Sequence, residues 1–367
     1  MTTNFTSELH EILSHYDLGE LVEAKKNERG YVNTSFAIQT VRDGVSSRYF
    51  LRKYKAGIRP EELVFEHSLI NHLVATGSPP VARLHLTRKG ETFVHSLAGK
   101  GDRSDAYYAV FDFLPGEDRY TWVAPRCTQE EAKNAAIALA RFHQAVSQFE
   151  PRGRRAEPRI LDLLPLIAEN LAGCPDKSKN TIFDAYLLKH CDLVQEDIAN
   201  TLAALSHAEC QDMPQIVVHC DYHPGNLMFR GGEITGLFDF DWSKVDFRCF
   251  DVALATWYFF DTWEEPHNGQ LRLDEVRTFL STYQETLSDH PTLGPLSEVE
   301  LNTLPTMFQA ANLYVLNWTV FDYYQKEVNP EEYLIYLRHG IKSIEWFSDP
   351  VNRIRLEELI QGPKESN

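Results

Sequence analysis

Between Ile216 and Ala253 the chain reads IVVHCDYHPGNLMFRGGEITGLFDFDWSKVDFRCFDVA, and this stretch constrains the fold more than any other. Residues 216–218 form a compact β-branched run, the pattern of a short buried strand, followed by a loop carrying His219, Asp221 and Asn226. Pro224-Gly225 turns that loop so that Asn226 faces the same side as Asp221. Residues 227–229 resume an apolar strand, Gly231-Gly232 closes a hairpin, and residues 234–238 return along it. The hairpin therefore predicts that Asp239 lies beside Asn226. Such a set suits a hard divalent cation such as Mg²⁺, which is held by one or two carboxylates plus phosphate and water oxygens. Singly, Asp221 and Asn226 are ordinary turn residues. Their order along strand, loop and hairpin sets them apart.

An H-x-D-x-x-x-x-N string with a later strand-end Asp is the arrangement phosphoryl transfer uses, with the loop Asp accepting a hydroxyl proton and the Asn and later Asp holding magnesium. HCDYHPGN and LFDFD resemble the aminoglycoside phosphotransferase and choline kinase-like superfamily, whose signature is H-x-D-x-x-P-x-N followed by I-D-[FW]. With Gly30-Tyr31-Val32-Asn33 and LFDFDWS added, the chain is most similar to type II homoserine kinase-like members. Protein kinases proper are less similar: Cys220 stands at the H-R-D arginine, Phe240-Asp241 replaces F-G, and no A-P-E segment follows. The resemblance implies Asp221 as catalytic base, His219 as the loop's buttress, Asn226 and Asp239 as Mg²⁺ ligands, and Asp251 as a buried group fixing the loop. An N-cap role for Asp251 is compatible with that. His223, Asp241 and Trp318 are candidate acceptor contacts, and for Asp241 a purely structural position stays open.

Toward the amino terminus, residues 36–41 and 48–54 flank Arg42-Asp43-Gly44, a hairpin signal. Residues 28–34 stand where a phosphate-covering loop is expected, although a single glycine departs from G-x-G-x-x-G. The resemblance, through a G-x-x-N-x-[ST] turn, brings Asn33 and Ser35 toward phosphate. Arg52 and Lys53 are strand neighbours that face opposite sides, so only one serves the nucleotide. The resemblance selects Arg52, with Lys53 the alternative. Residues 60–76 carry a helical pattern ending at Gly77, and Glu66 resembles the helix acid that pairs with the strand cation; Glu62, one turn earlier, is the other candidate. Residues 107–116 read as a strand stopped by Pro115-Gly116, implying an interlobe hinge whose backbone at Phe111, Asp112 and Phe113 bonds adenine.

Further on, Thr128 and Glu131 make a capping box for a helix over 128–147, and helical patterns dominate to the carboxyl terminus. The expected fold is α+β and protein kinase-like, with a small β-rich lobe over 1–113 and a larger, mainly helical lobe over 114–367. In residues 312–324, Trp318, Phe321, Tyr323 and Tyr324 offer an aromatic wall for an amine cation or sugar face, or the core side of a buried helix. A surplus of 53 acidic over 36 basic residues, net charge −17, argues against a nucleic-acid surface. The basic run at 152–159, with its Gly and Pro, reads as a solvated loop. Six cysteines without C-x-x-C spacing suggest reduced thiols rather than a zinc site. A metallohydrolase using His219, Asp221 and His223 leaves Asn226, Asp239 and the Arg52–Glu66 pair unexplained. No apolar run of about 18 residues is present, so no membrane partner and a cytoplasmic location are expected. The expected activity is ATP- and Mg²⁺-dependent phosphorylation of a small-molecule hydroxyl. Homoserine or a related hydroxy amino acid or amino alcohol is favoured over aminoglycoside, choline or amino sugar, and over a non-catalytic nucleotide-binding regulator.

Overall fold

An Asp43-Gly44 pair in left-handed conformation, φ 51° and 81°, makes the tight turn between the second and third strands of an antiparallel sheet, as a two-residue hairpin of this type requires. This computed structural model describes residues 2–27, 32–97, 105–206, 210 and 212–361; the expected phosphate-loop residues Gly30 and Tyr31 lie outside them. The chain divides into two units, one of Met1–Glu117, Glu150–Arg155 and Thr235–Phe238, the other of Asp118–Phe149, Ala156–Ile234 and Asp239–Asn367.

The first unit holds α1 (Thr2–Leu13), β1 (Glu20–Asn27), β2 (Thr34–Arg42), β3 (Val45–Lys53), α2 (Pro60–Thr76), β4 (Leu84–His85), β5 (Val94–Ser96) and β6 (Ala106–Asp112). The sheet order is β1-β2-β3-β6-β4, with β5 also paired to β6 and every pairing antiparallel. Leu9, Ile12, Leu13 and Tyr16 cover one face of it, against Phe36, Ile38, Leu51 and Val110. Pro60 opens α2, Glu62 reaches back to the Arg59 amide, and left-handed Gly77 closes the helix. The basic run is a loop, as expected, with Arg152, Gly153 and Arg154 exposed, but it is held against α2. Gly153, at φ 78°, passes so close to α2 that a Cβ there meets the Glu61 carbonyl at 2.2 Å, and Arg155 is buried over the Phe65 ring. Only glycine fits such an approach.

The second unit contains α3 (Gln129–Val146), α4 (Ile160–Ala172), α5 (Ile182–Leu205), β7 (Gln215–Val218), β8 (Leu227–Arg230), the start of β9 (Glu233–Leu237), whose residues from Thr235 on count with the first unit, β10 (Lys244–Phe247), α6 (Arg248–Phe260), α7 (Leu273–Leu287), α8 (Glu298–Gln325), α9 (Pro330–Ser348) and α10 (Pro350–Gln361). The β8 and β9 strands pair as the expected hairpin, and β10 pairs antiparallel with β7, Lys244 opposite Val218. All 13 residues of α6 are buried, as in a helix at the centre of a bundle, and its polar side chains Arg248, Asp251 and Thr256 are hydrogen-bonded inside. Its first residue, Arg248, is buried and donates Nε–H to Glu300 Oε1 at 2.9 Å and Nη1–H to the Gly294 carbonyl at 2.8 Å. Among the described residues no helix is long and apolar enough to cross a membrane.

Asp197 on α5 is only 4% exposed; Oδ1 accepts from Gln309 at 3.1 Å, while Oδ2 has no partner among the described residues. Burial pushes its pKa up to about 7 from 3.8. Between those values only the unfolded chain releases the proton, so stability is lost as pH rises through this window. The full loss, complete above the folded pKa, is about 4 kcal/mol. Asp197→Asn should therefore raise the thermal midpoint clearly at pH 8 and far less near pH 4, measured in paired denaturation scans.

Candidate active site

The chain leaves β7 through His219 and enters a loop in which Cys220 takes a left-handed conformation, φ 60°. A non-glycine residue persists there only where its surroundings impose it. Asp251, in the first turn of α6 and fully buried, supplies the constraint: Oδ2 accepts from the His219 amide at 2.9 Å and Oδ1 from the Cys220 amide at 2.8 Å. His143 Nε2 lies 3.0 Å from the same Oδ2. Asp251 does not cap its helix, whose N-cap is Phe247. These hydrogen bonds hold its carboxyl below the usual carboxylate range despite burial. His219 is buried against Phe240 and Tyr222, its Nδ1 accepting from the Asp221 amide at 3.3 Å and its carbonyl from Ser243 Oγ at 3.3 Å. That geometry is a buttress for the loop.

Asp221 and Asn226 come together as expected. Residues 224–226 form one 3-10 turn, and Asn226 Nδ2 donates to both the Asp221 carbonyl and Asp221 Oδ2, each at 2.8 Å. With its nitrogen committed, Asn226 turns its oxygen the other way, the orientation a cation ligand needs. Burial pushes the Asp221 carboxyl up to about 7, against the hydrogen bonds from Asn226 and Tyr258 that favour its charged form. Tyr258 on α6 had no signal in the motif, because it contributes from the helix after the loop. His223 Nδ1 accepts from the Gly225 amide at 3.0 Å and so caps the turn, while Nε2 stands 3.7 Å from Asp221. Burial drives His223 down to about 3, so it is neutral. At the far end of the hairpin, Asp239 is left-handed, φ 65° and ψ 65°, and heads the short turn Phe240–Trp242 that contains Asp241. The charge of Asp241 acts on Asp221 and raises its pKa further. Among the described residues no group of three His, Cys, Asp or Glu side chains is arranged to hold a metal ion.

In the first unit, Arg52 is buried and its Nη1 lies 3.1 Å from Glu66 Oε1. Arg155 approaches the other oxygen of Glu66 at 3.8 Å. Lys53 pairs instead with Glu8 at 2.8 Å, so the two strand neighbours diverge as their alternation requires. Ser35 is directly cross-strand from Arg52 and shares its face. Asn33 Oδ1 accepts from the Lys55 amide at 2.9 Å, and Glu62 is engaged in capping α2. The expected hinge residues Phe111, Asp112 and Phe113 lie at the end of β6 and just beyond it. Phe111 is paired with Phe50 on one side and Leu84 on the other, and the Asp112 amide donates to the Arg83 carbonyl at 2.9 Å. Only at Phe113 does the chain leave the sheet, its ring 3.8 Å beneath the Arg48 guanidinium.

The expected aromatic wall on α8 separates. Tyr323 stacks on Phe183 at 3.8 Å and, with Tyr324, donates to Asp184, while Phe321 is 52% exposed. Trp318 belongs to a second group, 5.9 Å from Trp122 and stacked at 6.0 Å on Tyr333. Trp122 in turn lies 5.1 Å from Trp263 and 4.7 Å from Tyr336. No local pattern links these residues in sequence.

The chain matches the phosphotransferase enzyme family over residues 23–286. It is 30% identical over 355 residues to a homoserine kinase of Afipia carboxidovorans, covering 92% of this chain and 93% of that one. In structure it is similar to an aminoglycoside phosphotransferase of Alicyclobacillus acidocaldarius, TM-score 0.61 at 17% identity over 95% and 96% of the chains. It is also similar to a microcompartment-associated aminopropanol kinase, TM-score 0.63 at 14% identity over 96% and 99%. These neighbours share the α+β protein kinase-like fold.

Asp251→Asn places an amide NH₂ against one of three N–H donors. It should cost about 1–3 kcal/mol of stability, read as a lower urea midpoint at unchanged slope, together with a loss of turnover.

Proposed function

This chain belongs to the phosphotransferase enzyme family, and we propose that its hydroxyl acceptor is homoserine, its divalent metal Mg²⁺ and its catalytic base Asp221. It is an ATP-dependent phosphotransferase acting on a small-molecule hydroxyl. The observation that carries the assignment of the base is the double hydrogen bond from Asn226 to Asp221, which fixes the carboxylate and frees the Asn226 oxygen together. A carboxyl near pH 7 is matched to accepting a proton under physiological conditions. The acceptor hydroxyl hydrogen-bonds Asp221 and passes its proton there as the oxygen attacks the γ-phosphorus, while the bond from that phosphorus to the β,γ-bridging oxygen breaks and ADP leaves. Asn226 Oδ1 and the Asp239 carboxylate fit Mg²⁺ as oxygen donors, and the ion supplies neutralisation of charge on the phosphoryl oxygens. Arg52, held by Glu66, serves the α- and β-phosphates; Asn33 and Ser35 line the phosphate path, and the Phe113 backbone meets adenine. His219 and His223 position the loop, and Asp241 tunes Asp221. Homoserine is supported by the relatives of that name, which align along nine-tenths of the chain.

A second reading, an amino alcohol acceptor, is favoured by the group Trp122, Trp263 and Trp318, all partly exposed. Aromatic faces attract ammonium groups. Two basic side chains on neighbouring segments are paired, Arg272 with Glu275 and Lys342 with Glu265.

Incubation with ATP, Mg²⁺ and either homoserine or 3-aminopropan-1-ol, with product detected by ³¹P NMR, separates the two. O-phosphohomoserine as the faster product supports the first reading, and its absence ends it. Asp221→Asn should lower kcat by about 10² to 10⁴ with the thermal midpoint intact, and undiminished turnover rejects Asp221 as the base.

A further inference from the structure

We infer that Tyr283, on α7 and 62 residues beyond Asp221 in sequence, is a positioning residue for the catalytic loop because it fixes the tautomer of His143. The inference rests on the assignment of Asp221 and goes beyond it to a side chain outside every motif of the site.

Proton counting forces the arrangement. Asp251 accepts from the amides of His219 and Cys220, and a carboxylate offers no proton, so the third neighbour must also donate. That neighbour is His143 Nε2, at 3.0 Å, which therefore carries a hydrogen. The remaining ring nitrogen, Nδ1, lies 2.7 Å from the Tyr283 hydroxyl. His143, Asp251 and Tyr283 are all fully buried, and among the described residues the Tyr283 hydroxyl makes no other hydrogen bond, although the Arg248–Glu300 pair acts on it electrostatically. If Nδ1 also carried a hydrogen, the tyrosine proton would have no acceptor among them. Burial also depresses the imidazole pKa and favours the neutral ring. Tyr283 O–H thus donates to Nδ1, Nε2–H donates to Asp251, and Asp251 receives the two loop amides. Four segments, α7, α3, α6 and the loop, are joined by hydrogen bonds whose direction is set at the tyrosine end.

Without the hydroxyl, the two neutral tautomers of His143 compete. The Nδ1–H form turns a lone pair toward Asp251, and the carboxylate that holds Cys220 in its left-handed conformation loses one of its three donors. The loop amides then carry the whole restraint, and the Asp221 carboxylate they present is misplaced. Ring packing is unaffected, because Tyr283→Phe removes one oxygen.

The test is a double-mutant cycle. Tyr283→Phe should lower kcat about tenfold to a hundredfold, with the KM for ATP unchanged, at a temperature well below its thermal midpoint. In a His143→Gln background, where the side-chain amide donates to Asp251 without a tautomer to choose, the same substitution should cost no further turnover. Equal losses in both backgrounds overturn the inference, as does an undiminished kcat in Tyr283→Phe alone. A purely structural role lowers the midpoint and moves kcat equally in both backgrounds. Should a variant fail to fold, the ¹³Cδ2 and ¹⁵N shifts of His143 in the wild-type protein decide: the Nε2–H tautomer is required, and an Nδ1–H or doubly protonated ring refutes the proposal.

Discussion

One carboxylate, that of Asp251, carries the geometry of the loop on which the activity turns. It is fully buried, and burial of an ion is repaid only by direct hydrogen bonds, of which it receives three. Two come from consecutive backbone amides, and an acceptor that grips both fixes the peptide between them in one orientation. Left-handed Cys220 follows from that grip, as does the direction in which the chain emerges toward Asp221 and Asn226. A small distortion is thus maintained at the loop by the buried helices around it. Such strain survives only where the surroundings over-determine it.

Much of this was legible in the residues themselves. The Asp-Gly turn, the glycine-closed hairpin, the Thr128–Glu131 capping box and the divergence of Arg52 from Lys53 are local effects, set by backbone sterics or by neighbours a few positions apart. The same locality explains the failures. Asp251 was compatible with an N-cap because helix starts are poorly marked, and the true start lies three residues earlier at Arg248, whose long side chain is buried by an acid 52 positions away. The run around Gly153 looked solvated by composition, yet it is held against α2 by a close approach that no composition reveals. Helix α1 packs Leu9, Ile12 and Leu13 on the sheet it covers. Trp122, Trp263 and Trp318 are distant in sequence and meet only in three dimensions.

The buried ionisable groups fall into two kinds. Arg248 with Glu300, and Lys244 with Asp246, are closed pairs whose partners satisfy each other and whose role is to hold elements together. Asp221 and Asp197 are instead pushed up to about 7 by burial without a cation beside them. For Asp197 this is a cost to stability. For Asp221 the same physics yields a group able to take up a proton at neutral pH, so an energetically unfavourable placement becomes a chemically useful one.

The arrangement around Glu66 has a consequence of its own. Its two oxygens are divided between Arg52, at 3.1 Å, and Arg155, at 3.8 Å, so two guanidiniums share one carboxylate. One carboxylate thus anchors two guanidiniums from different parts of the chain, one on β3 and one in the run that follows α3, so removing it would loosen both at once.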